Sequence, residues 1–114
     1  PGELSKKQPP TESSATVRQR VLAARAQQIK RAGKANARLN TTELERFCPL
    51  KAEDAFFLEQ ALHKMRLSIR AWHKLIRVSR TIADLEGAEH IERKHLIEAL
   101  GYRAMDRLLR QLQD

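Results

Sequence analysis

Apolar residues recur every three or four positions along most of the chain, and no stretch alternates apolar with polar as a strand does. That period belongs to helices. The longest stripe runs through Ala71, Leu75, Val78, Ile82 and Leu85, widened by Trp72, Ile76 and Ala83. Ser68 ahead of it and Gly87 behind it are residue types that start and stop helices. The spacing predicts a helix over 69–86. Its other faces carry Arg70, His73, Lys74, Arg77, Arg80 and Asp84.

Other helices follow from the same pattern. "SSATVRQRVLAARAQQIKRAGK" predicts one at 15–32, stopped by Gly33, with an apolar face through Val17, Val21 and Ala24 and with Leu22 and Ile29 beside it. Asn40 with Glu43 three residues on makes a capping-box pattern for a short helix closed by Pro49, with Leu44 and Phe47 inward. A third helix, 52–65, has Glu53 and Asp54 in its first turn, where the dipole favours acid, and buries Phe56, Phe57, Leu58, Leu62 and Met65. Ile91 is an isolated anchor. "ERKHLIEAL" reads as a fifth, short helix with Leu96, Ala99 and Leu100 inward. Gly101 interrupts it, at about 1 kcal/mol against Ala, and the residues from Tyr102 onward read as a last amphipathic helix or a helical tail. Residues 1–12 hold three of the four prolines and read as a linker. Residues 13–114 read as one all-α helical bundle.

Composition supports this. Hydrophobic residues are 41% and charged residues 32%, a globular balance, while aromatics at 4% leave the core to aliphatic side chains. The net charge of +8 favours polyanionic partners. It is unevenly spread. Between Ser13 and Thr42 there is no acidic residue, but seven basic ones: Arg18, Arg20, Arg25, Lys30, Arg31, Lys34 and Arg38. Cys48 is the single cysteine, which excludes an internal disulfide and suits a reducing, cytoplasmic setting. No run is apolar enough for a membrane helix. The chain begins with Pro1 and reads as a piece of a longer protein.

Catalytic motifs are missing. No G-x-x-x-x-G-K-[ST] loop cradles a phosphate, no G-x-S-x-G elbow presents a nucleophile, and no Cys–His set has metal spacing. His90 and His95 read as surface histidines, and no metal site is assigned. The isolated chain reads as no enzyme, with no cofactor of its own.

The stretch "LSIRAWHKLIRVSRTIADLEGAEHIERKHLIEALGYRAMDR", with "SSATVRQRVLAARAQQIKRAGKANARL" and "ELERFCPL" before it, resembles the C-terminal region of bacterial magnesium-chelatase-like AAA+ ATPases, the YifB/ComM competence group. The resemblance covers about 13–108. It implies a helical lid that follows an ATPase core in a ring oligomer, a hexamer, using ATP and Mg2+ in the whole protein. It also implies a sensor-2 arginine at the start of the lid's long helix, reaching the terminal phosphate of ATP. The matching residue is Arg70. Arg77, two turns along, is a weaker nucleotide candidate. Family context adds work on DNA, such as branch migration during transformation. Arg18, Arg25, Lys30, Arg31 and Lys34 are then the candidates for DNA or inter-subunit contact. The partners implied are the upstream core, neighbouring subunits and DNA. Three alternatives stay open: an independent basic DNA-binding module, the lid of a chelatase-type motor that remodels proteins, and an oligomerisation module.

Overall fold

The computed structural model describes residues 13–113, with side chains through residue 103. Five α-helices and one 3-10 turn make up the described residues. They are α1 (Ser14–Ala32), the 3-10 turn (Asn36–Arg38), α2 (Thr41–Phe47), α3 (Ala52–Lys64), α4 (Ile69–Glu86) and α5 (Arg93–Gln113). The linker expected over 1–12 lies outside the described residues.

The caps are those the residue types dictate. Ser13 Oγ accepts from the Thr16 amide at 3.1 Å, and α1 ends where Gly33 turns left-handed (φ +75°). Asn40 and Glu43 form a reciprocal capping box, each side chain accepting the other's amide at 2.9 Å. Ser68 opens α4, and Gly87 (φ +82°) closes it. Between α3 and α4 the left-handed position falls to Arg66 (φ +55°), and the Leu67 amide reaches back to the Leu62 carbonyl at 2.9 Å.

Helix α4 is the axis, packing against α1, the 3-10 turn, α2, α3 and α5. Leu39, Leu44, Cys48, Leu58, Leu62, Leu75, Ile76, Ile91, Leu96 and Ala99 form the core around it. Each Leu or Ile fully buried there contributes roughly 1.5–3 kcal/mol.

Five expectations need correction. Only Ala24 and Gln28 of α1 are buried; Val17, Val21, Leu22 and Ile29 stay 47–61% exposed, Val17 and Val21 because the first half of α1 runs past the bundle, Leu22 and Ile29 because they lie off the Ala24–Gln28 line. Phe56 is 62% exposed, since the inward side of α3 is set by Asp54, Leu58 and Leu62. Arg80 and Asp84, read as surface positions, are buried. So is His95, at 1% exposure, whereas His90 is exposed as expected. At Gly101 the helix does not break: α5 runs through it without interruption.

Candidate functional site

Helix α4 carries four basic side chains, and the fold treats them differently. Arg70 lies in the first turn, exposed, with no acidic residue in that turn and no hydrogen-bond or ion-pair partner among the described residues. Lys74, one turn on, is exposed in the same way. Arg77 is half-buried, and its Nε–H donates to the Leu39 carbonyl at 2.9 Å. Arg80 is 3% exposed and fully engaged. Its guanidinium meets Asp84 Oδ1 at 2.9 Å and donates to the carbonyls of Ala88 (2.8 Å) and Glu89 (3.1 Å). Of these arginines, Arg70 alone has no hydrogen-bond or ion-pair partner among the described residues.

Asp84 is the hub that holds Arg80. Arg31 from α1 grips the same carboxylate with both terminal nitrogens, at 2.6 and 3.2 Å. Asn36 donates to it at 2.9 Å and to Thr81 Oγ1 at 3.2 Å, while the Asn36 amide donates to Gln28 Oε1 at 3.0 Å. Burial works against the Asp84 charge, but the Arg31 and Asn36 hydrogen bonds and the Arg80 charge outweigh it and hold the carboxyl below its usual range. This network pins α1 and the 3-10 turn to α4. Cations of the basic segment are consumed in such contacts, Arg31 here and Lys34 on Glu43 at 2.8 Å among them. The Lys34 hydrogen bond and the Asn40 amide lower the Glu43 carboxyl. Arg18, Arg25 and Lys30 remain exposed with no partner among the described residues.

The structure also gathers Glu86, Glu92 and His95, whose ligand atoms lie within 4.8 Å of one another. The Glu92 amide donates to His95 Nδ1 at 2.9 Å, so the neutral ring carries its proton on Nε2. Nε2 therefore turns a hydrogen, not a lone pair, toward Glu86 Oε1, 3.3 Å away. Lys94 already pairs with that oxygen at 2.8 Å. The group serves the start of α5, with the His95 ring capping the Glu92 amide, and offers a cation no ready nitrogen ligand.

Sequence reasoning singled out Arg70 and the basic α1. It missed the Arg31–Asp84–Arg80 cluster. One signal for it was present: Arg80 and Asp84 are four residues apart on the edge of the apolar stripe, where an opposite pair can be drawn inward.

The comparisons extend these observations. The family model for the C-terminal region of magnesium chelatase subunit ChlI matches residues 11–103. The competence protein ComM of Haemophilus influenzae is 58% identical over 103 residues, 90% of this chain but 20% of that protein. The uncharacterised protein YifB of Escherichia coli is 56% identical over 113 residues, 99% of this chain and 22% of its own length. The YifB of Salmonella typhimurium is 52% identical over the same span. The chain thus spans about a fifth of these relatives. A family model covering most of the chain, an all-α fold around one long helix, and relatives above half identity agree: the chain belongs to the magnesium chelatase ChlI C-terminal family, as the ComM/YifB type of that domain.

Proposed function

We propose that the domain is the lid of an AAA+ type ring ATPase, and that Arg70 reaches the terminal phosphate of ATP held by the rest of the longer protein. The observation that supports this most is the contrast on α4. Arg80 is spent on the fold and Arg77 gives its Nε–H to the Leu39 carbonyl, while Arg70 projects from the first turn with its guanidinium uncommitted. A guanidinium keeps its charge at any physiological pH and meets phosphate oxygens as a fork. ATP and Mg2+ belong to the whole protein; this domain's own contribution is one positive charge, placed by a helix that the Asp84 network holds rigid. Arginines used in this way raise hydrolysis by about 10³–10⁵-fold in other nucleotide hydrolases. The test is ATP turnover by the full-length protein. Arg70→Ala should lower it at least about ten-fold, about 1.4 kcal/mol of barrier. Arg70→Lys should restore it only partly, since an ammonium cannot form the fork.

For the longer protein we infer work on DNA, such as branch migration during transformation. The exposed, unpartnered Arg18, Arg25 and Lys30 support a backbone contact by α1. Three phosphate contacts imply a log–log salt slope of about −2.7 on duplex DNA. A slope unchanged by removing all three side chains would refute this contact.

A further inference from the structure

The first half of α4 carries a ridge of like charge. Arg70, Lys74 and Arg77 follow one another at intervals of four and three residues, so one face of the helix holds all three. No residue three or four positions from any of them is acidic. Elsewhere the fold sets a carboxylate beside such cations: Glu43 by Lys34, Asp84 by Arg80, Glu86 by Lys94. Lys74 has no hydrogen-bond or ion-pair partner among the described residues. Like charges one turn apart repel, and an anion lying along the ridge would relieve that repulsion. The ridge is also shaped to hold one. Lys74 lines a groove of 260 Å³ with Ala71, Leu75, Val78 and Tyr102, whose apolar walls suit its aliphatic stem while the ammonium stays at the rim. Arg77 is half-buried, and the Leu39 carbonyl takes its Nε–H at 2.9 Å. A guanidinium held by Nε still has two terminal nitrogens for an oxyanion.

We propose that Lys74 is a second phosphate-binding residue, holding an inner phosphate of the nucleotide whose terminal phosphate meets Arg70. The inference rests on that reading of Arg70. Lys74 lies four residues on, about 6 Å along the helix axis, within reach of the next phosphates of one chain laid along the ridge. The two cations suit different tasks. A guanidinium fork matches the terminal phosphate, which has the most free oxygens. An ammonium acts as a point charge and suits an inner phosphate, which has fewer. ADP keeps the inner phosphates. Lys74 therefore acts alike before and after hydrolysis and contributes affinity, while Arg70 contributes rate. A DNA duplex is a poorer occupant, because the half-buried Arg77 cannot reach a backbone that the exposed Arg70 and Lys74 hold away from the helix.

The experiment uses the full-length protein with Lys74→Met, which keeps the stem and removes the charge. ATP turnover gives kcat and KM, and titration with a fluorescent ADP gives Kd. KM for ATP and Kd for ADP should each rise about ten-fold while kcat stays within about two-fold. Lys74→Arg should keep both near the wild-type values, since the charge remains. Lys64→Met removes an exposed charge from α3 and should change neither. The melting temperature of Lys74→Met should not fall, because the ridge loses a repulsion. Unchanged ADP affinity in Lys74→Met, an equal loss in Lys64→Met, a loss that tracks a lowered melting temperature, a fall in kcat as large as that of Arg70→Ala, or weakened DNA binding with nucleotide affinity intact would each overturn the proposal. Turnover of Arg70→Ala is a separate readout. A fall there with Lys74→Met unaffected would refute this inference alone. A raised ADP Kd in Lys74→Met beside normal Arg70→Ala turnover would keep Lys74 at the nucleotide and refute the Arg70 assignment.

Discussion

Arg80 and Asp84 stand one turn apart on α4, 2.9 Å between charged atoms, with side chains 3% and 1% exposed. A buried pair of this kind is expensive to break and inexpensive to replace as a whole. Asp84→Ala strands Arg80 and leaves Arg31 half-buried without its partner. It should lower unfolding free energy by about 3–5 kcal/mol. Arg31→Ala should cost less, because its side chain is 21% exposed and Arg80 still neutralises Asp84. Urea titrations of the two variants check the order.

The same carboxylate sets a pH dependence. Asp84 has its folded-state value held below the usual 3.8 by Arg31, Asn36 and Arg80, against the opposing effect of burial. A depressed value means stability that is full above the unfolded value and is lost as pH falls through the folded one. The Glu43 and Glu86 carboxyls are lowered too and act in the same direction. Urea midpoints should therefore fall as pH drops below ~5. In Asp84→Asn that fall should be shallower, from a lower starting stability.

Gly101 lies inside α5, exposed, and a Cβ built there meets nothing within 4 Å. Gly101→Ala should stabilise the domain by about 0.5–1 kcal/mol, seen as a rise of a few degrees in melting temperature. Gly87→Ala should do the reverse, because φ there is +82° and a side chain resists the left-handed region whatever the space.

Cys48 lines the core at 3% exposure, and burial pushes its thiol up. The thiolate is the reactive form. Alkylation near neutral pH should be slow in the folded domain and become fast in denaturing urea. Rapid modification of the native chain would contradict this placement.

These cases show which parts were legible in the sequence. The first four helices were, because caps and apolar period act locally: Asn40 with Glu43, Ser68 with Gly87. What the period could not convey is how far a neighbour extends. Val17 and Val21 carry the inward pattern of Ala24, but the bundle ends before it reaches them. Gly101 suggested a break because propensity is local, whereas a continuous backbone ladder and the packing of Leu96 and Ala99 sustain the helix. The Arg80–Asp84 pair was hidden for another reason. Charges enter a core only when several partners converge, and Arg31 and Asn36 come from residues some fifty positions away. Arg70 could be singled out only by resemblance; the fold adds that Arg80 is fully engaged and that Arg77 donates to the Leu39 carbonyl.

The most direct measurement sets Arg70→Ala beside Arg77→Ala in the full-length protein, reading ATP turnover and thermal unfolding of each. Arg70 has no partner among the described residues, so its loss should leave the melting temperature unchanged and lower turnover at least about ten-fold. Arg77 serves the Leu39 carbonyl, so its loss should cost about 1–3 kcal/mol of stability. Normal turnover in a folded Arg70→Ala protein would contradict the assignment of Arg70 to the nucleotide.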